Sequence, residues 1–169
     1  MAPEDVLTAL RDKNPLVHCI TNYVAMNIAA NVVLAAGASP AMVHAPEEIA
    51  DFTPICGALT INIGTLSAPW QASMMSAATL ASAHKIPWVL DPVAHFISGY
   101  RKRAAQDLLA LRPTIVRGNA SEILALAGEA GAGKGADAGD SVDAAQGAAK
   151  ALAAASGAVI AIPGTVEFV

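Results

Sequence analysis

Residues 14–37 read NPLVHCITNYVAMNIAANVVLAAG. The run 16–20 is apolar with little alternation, as a strand covered on both faces should be. Thr21-Asn22 breaks it, and the Ala-rich segment 24–36 follows with helical character, Asn22 standing where an N-cap would lie and Gly37 where the helix would stop. A buried strand, a polar turn and a helix form the first half of a βαβ unit.

The same order recurs outward along the chain. Further strand candidates are 41–43, 59–63, 88–90, 114–116 and 159–162, and further helix candidates are 3–11, 69–83, 101–111, 121–127 and 141–155. Asn119 suits an N-cap, Pro69 a first turn and Gly157 a helix stop. The pattern predicts an α/β fold with a mainly parallel sheet and helices on both faces, in a single domain over 1–169. Residues 128–139, GEAGAGKGADAG, read as a surface loop.

Composition narrows the function. Of 169 residues, 54% are hydrophobic and 14% charged, and the mean hydropathy is +0.48, which excludes disorder. Lys+Arg at 10 against Asp+Glu at 14 leaves a net charge of -4 and no basic surface for nucleic acid. Cys19 and Cys56 form no CxxC, so neither a disulfide scaffold nor a zinc site is expected, and a reducing cytoplasm fits best. The acidic start, with Glu4 and Asp5, does not read as a signal peptide. The stretches 16–46 and 52–84 lack Asp, Glu, Lys and Arg, but asparagines, glycines and prolines interrupt both, which suits a buried core and not a membrane span.

In open α/β sheets ligands gather at the carboxyl ends of the strands. There the sequence offers Thr21-Asn22, Asn62-Ile63-Gly64-Thr65, Asp91-Pro92 and Arg117-Gly118-Asn119, with Glu122 one turn later. Asp91 alone reads more readily as a loop-closing acceptor or helix cap than as a ligand. Glu122 alone is an ordinary first-turn carboxylate. Together they are the kind of pair that holds Mg²⁺, which takes one or two carboxylates and keeps several waters. Arg117 beside a helix N-terminus is either an anion contact or a solvated arginine. His18 within an apolar strand reads as a satisfied core residue, Met42, Met74 and Met75 as core fillers, and Cys19 and Cys56 as buried, inert thiols. The segment 128–135, GEAGAGKG, matches a P-loop up to its last position, where Gly135 lacks the hydroxyl that ligates Mg²⁺. It also follows a helix-like segment instead of a strand, so Lys134 is not expected to matter to nucleotide binding.

Five segments, NPLVHCITNYVAMNIAANVVLAAGASPAMVHAPEE, TINIGTL, PWVLDPVAHF, TIVRGNASEI and GKGADAGDS, resemble the hydroxyethylthiazole kinase family, thiamine-salvage enzymes of the ribokinase-like fold. The resemblance runs from about Asn14 to Val169. It implies transfer of the ATP γ-phosphate to the primary alcohol of hydroxyethylthiazole with Mg²⁺, in a homotrimer whose sites lie between subunits. By it, Asn22, Met42 and Gly64 would meet the thiazole, Arg117 the ATP phosphate, and Asp91 and Glu122 the Mg²⁺, directly or through water. Pro163 stands where the family commonly has a threonine whose hydroxyl contacts nucleotide phosphate, and it offers neither a hydroxyl nor an N–H unless Thr165 substitutes. The family's Gly-rich C-terminal motif, source of the anion hole and of the group that activates the substrate hydroxyl, lies past Val169. The resemblance therefore leaves the catalytic residue unassigned. It implies a domain incomplete at its C-terminus, poorly soluble and a poor kinase by itself. The alternatives are an inactive subunit that binds thiazole or assembles with complete chains, and an unrelated nucleotide-binding module using the Gly-rich loop.

Overall fold

The short apolar runs become the strands of one sheet. A computed structural model describes residues 2–128, 142–164 and 167–169, without the side chains of 142–144. The strands are β1 (Leu16–Ile20), β2 (Ser39–Ala41), β3 (Ala58–Asn62), β4 (Trp88–Asp91), β5 (Ile115–Arg117) and β6 (Val159–Ala161). They lie in the order β2-β1-β3-β4-β5-β6, and every neighbouring pair is parallel. The helices are α1 (Pro3–Lys13), α2 (Met26–Ala36), α3 (Pro46–Phe52), α4 (Ala68–Ala83), α5 (Gly99–Ala110), α6 (Ala120–Leu126) and α7 (Val142–Ser156).

The sheet order reverses direction once, after β2. Right-handed crossovers then put α2 on one face and the later helices on the other. The packing agrees, since α1 meets α2 while α3 meets α4, α4 meets α5 and α6 meets α7. Ile61, Trp88, Leu90, Val116 and Ile160 join Met74, Ala77, Leu108 and Ile123 of the helices in a continuous core, whereas α1 and α2 bury no residue completely. The β2 edge carries Pro40, which has no N–H to offer a further strand.

Three local expectations are corrected. The second strand lies at Ser39–Ala41 and not at 41–43, because the Val43 carbonyl turns away to His18 Nε2 at 2.7 Å. Asn22 does not cap a helix directly: α2 starts at Met26, and Asn22 Oδ1 accepts the Ala25 N–H of the preceding turn at 2.9 Å. Helix α3 is additional; at 7 residues it is too short for periodicity to show, although Pro46, Glu47 and Glu48 mark its first turn. Gly37 ends α2 with φ at 107°, as expected of a helix stop. Of the expected Gly-rich loop only Gly128 is described; 129–139, including Lys134, lie outside the described residues, as do Ser141 and Thr165.

Candidate active site

Because all strands run in parallel, their carboxyl ends share one rim. The register sets Asn62 beside Asp91, and with Leu90 beside Val116 it brings Arg117 to Asp91 as well. Asn22 and Gly64 each lie two residues past a strand end, and Met42 one residue past β2. The rim thus brings together Asn22, Gly64, Asp91 and Arg117, as the strand assignments predicted, with Glu122 close behind.

Asn62 connects the two halves. Its Oδ1 accepts both Asn22 Nδ2, at 2.8 Å, and the Gly64 N–H, at 2.9 Å, and the register sets it beside Asp91, where its side chain favours the ionised carboxylate. Gly64 is required by close approach: a Cβ there would lie 2.6 Å from Asn22 Cγ and 2.7 Å from its Nδ2. Thr65 Oγ1 accepts the Tyr23 N–H at 3.0 Å, so the loops after β1 and β3 are fastened twice. The sequence showed Asn62 only as one polar residue at a strand tip; its central place comes from the pairing of β1, β3 and β4.

Asp91 is pushed up to about 6, first by burial and then by the nearby Glu122, against the opposing pull of Arg117 and the Asn62 hydrogen bond. Arg117 Nη1 lies 3.6 Å from Asp91 Oδ2, with the arginine side chain 54% exposed and the aspartate 20%. That guanidinium is close enough to compensate the carboxylate and open enough to take an anion. Glu122 is buried, and each of its oxygens accepts a backbone N–H: Oε2 from Asn119 at 2.8 Å and Oε1 from Ala94 at 2.9 Å. Asn119 Oδ1 accepts the Glu122 N–H at 2.9 Å, completing a capping box on α6. Two neighbouring carboxylates, one of them with its pKa raised by the other, match the donor set of Mg²⁺, which would relieve their repulsion. Because Glu122 is already doubly engaged, a water-mediated contact suits it better than a direct one. Among the described residues no cluster of three or more His, Cys, Asp or Glu forms a denser metal site.

Arg101 was not found from the sequence. Its Nη1 donates to the Gly64 carbonyl at 2.6 Å, its Nε to the Ala94 carbonyl at 3.3 Å, and its Nη2 to the Val93 carbonyl. The one local signal was its place in the first turn of α5, where the helix dipole disfavours a cation.

Met42 is half-buried beside β2, and its carbonyl takes the His44 Nδ1–H at 3.2 Å. The His44 and Tyr23 rings both lie 4.7 Å from the ring of Trp70 in tilted contact, so an aromatic cluster spans the loops that carry Asn22 and Met42. His18 is fully buried, its pKa lowered by that burial, with Nδ1 taking the Thr53 hydroxyl at 3.2 Å. It is a satisfied core histidine, as read from the sequence. Burial pushes the Cys19 thiol up to about 11 and raises Cys56 too, which keeps both unreactive. At the carboxyl ends of β5 and β6, Arg117, Ile162, Pro163 and Phe168 bound a pocket of 120 Å³. No helix among the described residues is long and apolar enough to cross a membrane.

Known proteins match this chain along its length. A model of the hydroxyethylthiazole kinase family matches residues 7–169. A hydroxyethylthiazole kinase of Roseobacter denitrificans is 83% identical over 168 residues, 99% of this chain and 65% of that protein. One from Rhizobium etli is 59% identical over 164 residues, 97% of this chain and 64% of that protein. The solved structure of the Pyrococcus horikoshii hydroxyethylthiazole kinase superposes with a TM-score of 0.86 at 37% identity, covering 96% of this chain and 61% of that one. The chain therefore spans a little under two thirds of the length of these relatives. Sheet order, rim and relatives agree, and the chain belongs to the hydroxyethylthiazole kinase family.

Proposed function

We propose that this chain supplies the thiazole pocket and the phosphate and metal side of an ATP-dependent kinase that phosphorylates the primary alcohol of hydroxyethylthiazole in thiamine biosynthesis. The observation that carries this reading is Asn62, which holds Asn22 and Gly64 by its Oδ1 while pairing in register with Asp91, so a small alcohol and a nucleotide phosphate would meet on one rim. In this reading Asn22, Gly64 and Met42 hold the thiazole, a mostly apolar ring that needs few polar anchors. Arg117 binds the nucleotide phosphate, with Pro163 lining the same pocket. Asp91 and Glu122 hold Mg²⁺, which when bound neutralises charge on the phosphates. The general base is assigned to none of the described residues. In this reading the chain is the N-terminal portion of a ribokinase-like domain in a cytoplasmic homotrimer, with no nucleic acid or membrane partner.

Calorimetry with hydroxyethylthiazole and with MgATP tests the reading. Met42→Ala should weaken thiazole binding about tenfold, near 1.4 kcal/mol, and leave MgATP within twofold, whereas Arg117→Met should do the reverse. Equal losses for both ligands in both variants, or no thiazole binding by the folded protein, would overturn it.

A further inference from the structure

Arg101 joins two loops of the rim beyond the point where the pairing of β3 and β4 ends. It stands in the first turn of α5, yet its guanidinium turns back to the carbonyls of Gly64, Val93 and Ala94. Gly64 belongs to the loop after β3, which packs on Asn22. Val93 and Ala94 belong to the loop after Asp91. Ala94 adopts φ 46°, a left-handed conformation that an alanine holds only under constraint from its surroundings. That constraint comes from both sides: Arg101 grips the Val93 and Ala94 carbonyls, and Glu122 Oε1 takes the Ala94 N–H. The guanidinium and the Glu122 carboxylate also attract one another across this turn. Among the described residues no salt bridge competes for Arg101, so its planar fan of donors serves the two loops.

We propose that Arg101 is a positioning residue that locks the Gly64 loop to the strained turn after Asp91, fixing the substrate side of the rim against the phosphate and metal side. The proposal rests on the kinase reading above for its consequence in turnover, but the lock itself is testable without it. Phosphoryl transfer depends on holding the alcohol in line with the phosphate, and a displacement of about 1 Å can cost about a hundredfold in rate. A residue that only stabilised the fold would lower Tm and leave the kcat of the folded fraction intact.

The test compares Arg101→Met and Arg101→Lys with the unsubstituted protein by amide hydrogen exchange and by steady-state kinetics. In Arg101→Met the amides of residues 64–66 and 93–95 should exchange at least about tenfold faster, while Ile61 and Leu90 in the strands stay within twofold. Arg101→Lys keeps the charge but cannot span the carbonyls together, so it should loosen the same loops by about threefold. In Arg101→Met kcat should fall about a hundredfold with KM for the thiazole changed less than tenfold, and Arg101→Lys should recover part of kcat. Unchanged loop exchange in either folded variant overturns the lock, and unchanged kcat beside loosened loops overturns its role in positioning. If the unsubstituted protein binds neither hydroxyethylthiazole nor MgATP by calorimetry, the kinase reading is overturned and exchange alone decides the lock.

Discussion

Asp91 is the residue where burial and charge work most directly against one another. Its carboxyl is raised from 3.8 to about 6 by burial and by Glu122, although Arg117 and Asn62 favour the anion. Between those values the folded state binds more protons than the unfolded chain, so stability falls as pH rises through the interval. The contribution is complete below the unfolded value and lost above about 6; a shift of this size is worth on the order of 3 kcal/mol at most. Asp91→Asn removes the buried charge and should raise the unfolding free energy by about 1–3 kcal/mol at pH 8 with little change at pH 4. Thermal unfolding at both pH values checks this, and an equal gain at the two would refute the electrostatic account. Asp91 and Glu122 were recognisable as a pair in the sequence, but the strength of their repulsion depends on how close the fold brings them.

The start of α6 shows how one element serves two purposes. Asn119 caps it from within, a role its position before an apolar segment already predicted. Glu122 closes the capping box and also reaches Ala94, 28 residues earlier in the chain, so it ties α6 to the turn after β4. Asn119→Ala should therefore cost about 1 kcal/mol, the usual loss of a cap. Glu122→Ala strands two backbone N–H groups in a buried place and should cost about 2–5 kcal/mol. Urea unfolding of the two variants reads the order directly, and a larger loss for Asn119→Ala would show that the Ala94 contact contributes little. The cap was legible because it is local. The Ala94 partner was not, since no periodicity relates residues so far apart, and the Arg101 contacts were hidden for the same reason.

At the scale of the molecule, stability is concentrated on one side of the sheet. Ile61 is fully buried in the central strand β3 beneath the later helices, whereas Ile28 on α2 is 67% exposed. Ile61→Ala should lower the unfolding free energy by about 2–5 kcal/mol, the range for a buried large-to-small change. Ile28→Ala should change it by less than about 0.5 kcal/mol. Denaturant titration of both variants checks the contrast, and comparable losses would mean that the α2 face carries more of the core than its exposure indicates.

The sequence by itself determined the α/β class, the order of the strands and of every helix but α3, and the strand tips that carry Asn22, Gly64, Asp91 and Arg117, because burial on both faces and helix punctuation are written locally in residue type. It also held the likeness to the hydroxyethylthiazole kinase family, which suggested for Met42 a substrate contact that its apolar character alone would not. Only the tertiary structure decided that β2 ends at Ala41, that Asn62 bridges the two halves of the rim and that Arg101 holds two loops together. Those contacts join residues distant in sequence, and they exist because parallel strands bring every loop of one kind to the same edge of the sheet.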